Sequence, residues 1–265
     1  MPSPSVLCFR EHAEWLGLIQ PNEPRGYIAV LKVVLDESGT HETSKSLCVA
    51  GCVGNYHQWS RFSREWTPRA KKYKYGFHAT VGSESDNKFL AHLMVKHLKF
   101  GFTVNFDYED VRAVVSQPFR SRYGSEYAIA VRTAVGFMSE VCVIEGWKHV
   151  AYVIEDGAKG CEHVKKWFRD MVALPLSHPD RLRVYSDTWV GKGDVTTHAA
   201  DLLSHEWARV YAGETSEIIP TLPTEKFYLH NETREELIGA YTEQLRLDKL
   251  HRWTVRKARK ARRAR

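Results

Sequence analysis

Apolar and polar positions along the chain form a pattern in which strands alternate with helices. Apolar runs over 27–35 and 46–54, separated by the polar stretch 40–45, predict an antiparallel hairpin. Three more stretches have strand patterning: 102–106, 149–155 and 181–190. Helical spacing of apolar residues predicts helices over 58–66, 86–100, 124–145, 159–173, 194–213 and 233–250. Asp86 and Asp194 are the expected N-caps of the second and fifth of these helices.

This order of elements predicts an α/β fold in which a mixed sheet is flanked by helices. The strand over 149–155 is expected to pair beside the strand over 27–35. The 265 residues are enough to bury a core, and no repeat or low-complexity linker divides them. We therefore expect a single domain over 1–250, followed by a tail over 251–265.

The positive charge of the chain is concentrated near its C-terminal end. The net charge is +6, and 252–265 alone contains eight Lys or Arg residues and no acid. Without those eight charges the net charge becomes −2, so the rest of the chain is close to neutral. Such a segment suits an anionic polymer, because each contact to a phosphate releases counterions. A solvated tail without a specific partner fits the composition equally well.

Targeting patterns and cysteine spacing in the sequence bear on where in the cell the protein acts. No apolar run approaches the ~20 residues that a transmembrane helix needs, and the N-terminal residues lack a signal-peptide pattern. The five cysteines include no C-x-x-C pair, which argues against a disulfide framework or a zinc site. Cys48 and Cys52 are expected to pack as small apolar residues. We expect a cytoplasmic protein that does not bind membranes.

Acidic residues stand where two of the predicted strands end. Asp36 and Glu37 follow the apolar run of the first strand, just before a Ser-Gly turn. Glu155 and Asp156 follow the apolar run of a later strand in the same way. Asp201 lies inside a helix among apolar neighbours, where an aspartate has poor helix propensity and a desolvation cost. A single aspartate at a strand end is usually a turn or capping residue, so only the combination is informative.

Carboxylates from two strand ends and one helix can meet at one edge of a sheet. Clustered carboxylates repel one another unless a cation lies among them, and oxygen ligands favour magnesium or manganese over zinc. With two such cations a phosphodiester can be cleaved, because one activates water and the other stabilises the leaving oxygen. The pattern is therefore compatible with a nuclease that depends on Mg²⁺ or Mn²⁺.

Four short motifs, taken in order, resemble those of one known family. "VVLDESGTH" ends the first strand, "FHAT" follows at 77–80, "VIEDG" ends a later strand, and "HAADLL" lies in a helix. Over about residues 27–212 this order resembles the domain of unknown function 3800 family, which is related to the ribonuclease-H-like superfamily. The resemblance implies a ribonuclease-H-like mixed sheet flanked by helices, and a metal-dependent nuclease acting on DNA or RNA.

The resemblance also implies roles for individual acids. Asp36 matches the first acid of the fold, and Asp201 matches the acid of the last motif helix. Glu155 matches the acid that closes the later central strand, with Asp156 as its competitor. Glu37 corresponds to an outer or alternate ligand. The implied catalytic set is therefore these five acids, and the implied metal ligands are Asp36, Glu155 and Asp201.

Further polar side chains are candidates near this set. His78, in "GFHAT", either contacts a scissile phosphate and assists proton transfer or is a hydrogen-bonded structural histidine. His198 occupies the position of the family's Gln, one turn before Asp201, and is a candidate to ligate metal or orient that carboxylate. Lys192, between two glycines in "VGKGD", either approaches a phosphate or is a surface lysine. Glu65 is a candidate for the helix glutamate that ribonuclease-H-like sites usually contain.

Two functions are compatible with the sequence. The first is a Mg²⁺- or Mn²⁺-dependent nuclease, and the second is a non-catalytic protein of the same fold that binds nucleic acid through its basic tail. Geometry separates them, because the nuclease requires the carboxylates of Asp36, Glu155 and Asp201 to face one another.

Overall fold

The computed structural model describes residues 31–39, 44–74, 76–114, 124–175, 178 and 181–232. Its strands are β1 (Leu31–Ser38), β2 (Ser46–Gly54), β3 (Phe100–Asp107), β4 (Val150–Glu155), β5 (Val184–Val190) and β6 (Phe227–Glu232). Its α-helices are α1 (Tyr56–Ala70), α2 (Glu84–His97), α3 (Tyr108–Val114), α4 (Glu126–Ile144), α5 (Cys161–Val172) and α6 (Thr197–Tyr211). A short 3₁₀-helix, Ile219–Thr221, precedes β6.

The six strands of the described residues form one mixed sheet in the order β5-β4-β1-β2-β3-β6. The β1–β2 and β2–β3 pairs are antiparallel, whereas β1–β4, β4–β5 and β3–β6 are parallel. The predicted hairpin and the predicted place of β4 beside β1 are both confirmed. The predicted α/β fold, a mixed sheet flanked by helices, is confirmed as well.

Helices cover both faces of the sheet, and alternate residues of β1 pack into the two hydrophobic layers. Val33 and Leu35 pack in the core beneath α4 and α5. Val34 packs in the core on the other face, beneath α1, α2 and α6. Cys52 lies in that second layer and Cys48 is equally buried, as expected of small apolar residues. Helix α4 is long and apolar enough to meet the length and composition of a membrane span, but half of it is buried inside the fold.

Helix α6 lies across β1 and β2 and carries small side chains on its inner surface. Ala199 and Ala200 are both fully buried, followed by the buried Leu202 and Leu203. Because alanine adds little bulk between a helix and the surface it covers, this end of α6 can approach the strands closely. The position of α6 above the end of β1 brings Asp201 into the region of the strand-end acids.

Several predicted boundaries and caps were wrong. The N-cap of α2 is Ser83, whose hydroxyl accepts the Asp86 N–H at 3.2 Å, so Asp86 lies in the first turn instead. Helix α6 begins at Thr197, and Asp194 precedes its N-cap residue, Thr196. The prediction included neither α3 nor β6. The predictions for 27–30, 40–43, 233–250 and the tail over 251–265 lie outside the described residues.

The strand predicted over 181–190 begins only at Val184, because the buried Arg181 organises the residues before it. Its guanidinium donates hydrogen bonds to the carbonyl oxygens of Val184 at 2.7 Å and Tyr185 at 3.0 Å. It also donates to the carbonyl oxygens of Val172 and Leu174 at the C-terminal end of α5. The next two residues, Leu182 and Arg183, adopt left-handed backbone conformations with φ of 49° and 60°. Left-handed residues cannot extend a strand, so β5 starts after them.

Candidate active site

The end of β1 places two acids on opposite faces of the sheet. Asp36 follows Val34 in the strand alternation and therefore points toward the layer that contains α6. Glu37 follows Leu35 and points toward the layer that contains α4. Asp36 is 7% exposed, and its Oδ1 accepts the backbone N–H of Glu37 at 2.9 Å. Alternation directs the two carboxylates of the "DESG" motif to different layers, but they still meet at the strand end, where a side-chain hydrogen bond with Asp36 opposes the effect of burial on the pKa of Glu37.

Strand β4 brings Glu155 next to Asp36. The parallel pairing of β1 with β4 aligns Leu35 with Ile154, so the residues that follow them are neighbours at the same sheet edge. Glu155 alternates with Ile154 and points, like Val153, toward the layer of α6. The hydroxyl of Thr197, at the start of α6, donates to Glu155 Oε2 at 3.4 Å.

Helix α6 supplies the third acid, Asp201. Its Oδ2 accepts the backbone N–H of Ala79 at 2.8 Å, and His78 Nδ1 lies 3.8 Å from the same oxygen. The predicted motif "FHAT" is therefore in direct contact with the predicted motif "HAADLL". His78 is partly exposed beside the carboxylate, which keeps it accessible to a ligand.

The electrostatics of these acids show that they share one region. Burial, followed by the negative charges of Glu37, Asp201 and Glu155, raises the pKa of Asp36 well above its usual value. Burial and the charge of Glu155 raise the pKa of Glu37 to about 7. Burial raises the pKa of Asp201 to about 6, with Glu155 adding to it and the Ala79 N–H and His78 opposing it. Each shift reflects the cost of keeping charged carboxylates together with little water.

The donor set suits a hard divalent cation, although the side chains do not surround a common point. Within the described ranges, no three His, Cys, Asp or Glu side chains form a ready-made metal site. Asp36, Glu155 and Asp201 nevertheless offer only oxygen donors, from three separate chain segments, on one face of the sheet. Oxygen donors of this kind are those that Mg²⁺ and Mn²⁺ prefer. A cation would also offset the cost of burial and the added repulsion that together raise the pKa of Asp36 and Asp201.

Asp156 lies outside this group. It follows Glu155, but its carboxylate pairs with Lys165 of α5 at 2.8 Å, and this ammonium group helps to lower its pKa. Its backbone N–H donates to the carbonyl of Val190 at 2.8 Å, which ties it to β5. Of the two acids that end β4, only Glu155 points toward Asp36 and Asp201.

His198 is buried in an aromatic pocket and does not orient Asp201. It is 2% exposed, its Nδ1 accepts the Trp66 Nε1–H at 2.9 Å, and its ring packs against Phe77. Burial lowers its pKa to about 4, so the ring is neutral near pH 7. His198 therefore makes no hydrogen bond to the Asp201 carboxylate, and its candidate role as a metal ligand stays a prediction.

Lys192 stands at the border of the acidic group. It is exposed in the loop between β5 and α6. Burial dominates the pKa of Glu37 and Asp201, but the positive charge of Lys192 lowers both. The Lys192 ammonium group is therefore close enough to both Glu37 and Asp201 to favour their charged forms. Glu65 is elsewhere, paired with Lys96 at 2.8 Å and His97 at 3.0 Å.

Solved structures with a similar chain are ribonucleases H, at low similarity. One is a chain of the PCNA:RNase HII complex from Archaeoglobus fulgidus, 15% identical, covering 74% of this chain and 85% of that chain with a TM-score of 0.38. Another is ribonuclease H2 from Pyrococcus horikoshii OT3, 11% identical, covering 74% and 82% with a TM-score of 0.35. A third is Bst-RNase HIII in complex with Mn²⁺, 14% identical, covering 78% and 63% with a TM-score of 0.36. No protein-family model and no curated protein matches the chain.

Tyr127 is a residue of the site that the sequence did not indicate. It lies in the first turn of α4, is 3% exposed, and its hydroxyl has no hydrogen-bond partner among the described residues. Burial, followed by the charges of Glu37 and Asp36, raises its pKa well above the usual value. Its neighbours in "EYAIAV" are apolar, so the sequence shows only a helix that packs in the core.

Proposed function

We propose that this chain is a nuclease that hydrolyses phosphodiester bonds of DNA or RNA with Mg²⁺ or Mn²⁺. The observation that carries the proposal is the approach of Asp36, Glu155 and Asp201 on one face of the sheet, with raised pKa for Asp36 and Asp201. The ordered motifs that resemble the domain of unknown function 3800 family add support, because they contain these three acids.

In this proposal Asp36, Glu155 and Asp201 hold the cation. With two such cations bound, these acids would hold one that activates a water molecule and another that stabilises the leaving oxygen of the phosphodiester. The Glu37 N–H fixes one oxygen of Asp36, and the Ala79 N–H fixes one oxygen of Asp201. Asp36 and Asp201 each thereby keep a second carboxylate oxygen that can bind the cation.

Two further side chains act beside the acids. His78 lies 3.8 Å from Asp201 Oδ2 and is partly exposed, so it can donate a hydrogen bond to a phosphate oxygen or pass a proton to the leaving group. Glu37 flanks Asp36 from the other face of the strand, and its pKa of about 7 allows it to exchange a proton near neutral pH.

The test is cleavage of labelled single-stranded, double-stranded and hybrid DNA and RNA, first in EDTA and then with Mg²⁺ or Mn²⁺. We expect cleavage only with the cation, loss of cleavage in Asp36→Asn, and normal cleavage in Asp170→Asn, which removes an exposed acid of α5. Cation-independent cleavage, or equal activity of Asp36→Asn, would contradict the proposal. Binding of these substrates without cleavage by the wild-type protein would favour the non-catalytic alternative.

A further inference from the structure

The backbone of Ala79 is held by side chains of two different helices. In the turn that contains it, the His78 carbonyl accepts the N–H groups three and four positions later, at 3.0 and 2.8 Å. The N–H and C=O of Ala79 instead bind side chains. The N–H donates to Asp201 of α6 at 2.8 Å, and the C=O accepts the side-chain amide of Asn87, in α2, at 3.2 Å. Ala79 therefore links α2 to the carboxylate of α6.

Burial couples these two hydrogen bonds. Ala79 is 4% exposed, and Asn87 is buried as well. A buried carbonyl without a partner is costly, so without the Asn87 amide this part of the chain would favour a position nearer to water. The N–H that binds Asp201 belongs to the same residue as this carbonyl, and such a shift would draw it away from the carboxylate.

Asn87 contributes little to stability for a buried polar residue. Its Oδ1 is buried and has no hydrogen-bond partner among the described residues. That unpaired acceptor offsets part of what the hydrogen bond to Ala79 contributes. Gly82 makes room for the amide, since a Cβ atom there would lie 2.3 Å from Oδ1. A branched apolar side chain in place of Asn87 would lack both the donor and the unpaired acceptor, so the net change in unfolding free energy should be small.

The first turn of α2 also anchors the two ends of the segment that joins α1 to α2. Asp86 is 3% exposed, and its Oδ2 accepts the hydroxyl groups of Tyr73 and Ser83. These two residues lie near the start and at the end of the segment. Asn87, the next residue of α2, binds the part between them that contacts Asp201.

We propose that Asn87 is a positioning residue of the candidate active site and acts on Asp201 through the Ala79 backbone. By holding the Ala79 carbonyl, it keeps the Ala79 N–H on Asp201 Oδ2 and His78 beside the same oxygen. The carboxylate is thereby oriented for the cation, while Asn87 itself binds neither cation nor substrate. The effect on the cation rests on the proposed nuclease function, whereas the effect on Ala79 does not depend on it.

The first test follows amide hydrogen exchange of Ala79 in the full-length protein, labelled with ¹⁵N-alanine and kept in EDTA. The resonance is assigned with Ala79→Gly. In Asn87→Leu the Ala79 amide should exchange at least about tenfold faster than in wild type, because its hydrogen bond to Asp201 opens more often. Ala91, in the middle of α2, should keep its exchange rate. An unchanged rate for Ala79, or equal acceleration of Ala79 and Ala91, would overturn the proposal.

Two further variants separate positioning from a general loss of stability. Asn105 of β3 is 1% exposed and also has an Oδ1 without a hydrogen-bond partner in the described part of the chain, but its amide donates to Asn231 of β6. Asn105→Leu should therefore leave Ala79 exchange within about threefold of wild type. Asn87→Asp keeps the side-chain shape and removes the donor, so it should accelerate Ala79 exchange, and it decides the question if Asn87→Leu does not fold. Equal acceleration in Asn105→Leu would contradict the assignment.

Binding of Mn²⁺ connects the contact to the acids. Without nucleic acid, electron paramagnetic resonance should show that Asn87→Leu binds Mn²⁺ at least about tenfold more weakly than wild type, and that Asn105→Leu binds it equally well. Faster Ala79 exchange with unchanged Mn²⁺ affinity would overturn the role of Asn87 at the site. A wild-type protein that neither binds Mn²⁺ nor cleaves would reject the nuclease function, and the exchange rates would still decide whether Asn87 holds Ala79.

Discussion

Ala79 donates its backbone N–H to Oδ2 of Asp201 at 2.8 Å, across 122 positions of the chain. This hydrogen bond joins the segment after α1 to the middle of α6. It engages only Oδ2 of the carboxylate, and it stabilises the charged form of Asp201 against the effect of burial. The contact makes Asp201 the natural position at which to test the site.

Asp201→Asn should stabilise the metal-free protein at pH 7.5, or leave its stability unchanged. The substitution removes a charge whose pKa is raised to about 6, and the amide oxygen can still accept the Ala79 N–H. The gain should be at most about 3 kcal/mol. Thermal melting with and without Mg²⁺ or Mn²⁺ measures a second effect, since the variant should lose the stabilisation that cation binding gives to the native state. An equal cation-dependent shift in wild type and variant would exclude Asp201 as a ligand.

Asp36→Asn and Asp156→Asn should differ sharply in nuclease activity. Asp36 is in the carboxylate group, whereas Asp156 pairs with Lys165. Loss of a metal ligand removes several kcal/mol of transition-state stabilisation, or roughly 100-fold or more in rate. Asp156→Asn should stay within about threefold of wild type, since an exposed ion pair contributes little. Single-turnover cleavage rates at saturating cation measure both, and the opposite order would assign the role to Asp156.

The stability of the metal-free protein should depend on pH through Glu37. Its pKa is about 7 in the folded protein and 4.5 in a free side chain. Between these values the folded state binds more protons than the unfolded state, so this group's contribution is favourable below about pH 4.5 and is lost as the pH rises through about 7. Urea unfolding in EDTA should show Glu37→Gln gaining stability over wild type as the pH rises, and a pH-independent difference would refute the shift.

Removal of the Tyr127 hydroxyl should cost no stability, whereas removal of the Tyr73 hydroxyl should. Tyr127 has an unpartnered buried hydroxyl, but the Tyr73 hydroxyl donates to Asp86, which also binds Lys72. Tyr127→Phe should therefore be neutral or stabilising, and Tyr73→Phe should lose about 1–2 kcal/mol of unfolding free energy. Chemical denaturation of both variants measures the difference, and a larger loss in Tyr127→Phe would reveal a hydrogen bond to that hydroxyl.

Removal of residues 252–265 should weaken nucleic-acid binding without unfolding the domain. The segment contributes eight positive charges and little apolar side chain. Affinity at low salt should fall by at least about tenfold, and the dependence of log K on log salt should become less steep, because fewer counterions are released. Fluorescence anisotropy over a salt series measures both quantities, with the melting temperature as the control for folding. Equal affinities at low salt would show that the tail is not a binding element.

The sequence predicted the parts of the site that depend on strand ends. Acids that follow apolar runs mark where strands leave the sheet, so Asp36 and Glu155 could be placed at one edge once their strands were expected to pair. Asp201 could be added because an aspartate among packed apolar neighbours has a desolvation cost, which a bound cation would offset. These inferences depend on local patterns that the fold preserves.

The residues that the sequence did not resolve depend on contacts between distant segments. His198 was a candidate to ligate metal or to orient Asp201, but Trp66, 132 positions away, occupies its Nδ1. Tyr127 has the pattern of a core aromatic, and only the position of α4 brings it near Glu37. Strand β6 lacks an alternating pattern of its own and is defined by its pairing with β3. No local signal carries information of this kind.

The three acids are held by different kinds of structure. Asp36 and Glu155 occupy adjacent parallel strands, where the backbone hydrogen bonds of the sheet determine their separation. Asp201 depends instead on how near α6 approaches the strands, and the buried Ala199 and Ala200 allow that approach. The spacing of the first two acids is therefore insensitive to core composition, whereas the distance to the third is adjustable. Enlarging one alanine would tilt or lift the helix and change the distance from Asp201 to the other two acids, so the affinity of the proposed cation site can be altered through the packing beneath α6 without changing any of its acids.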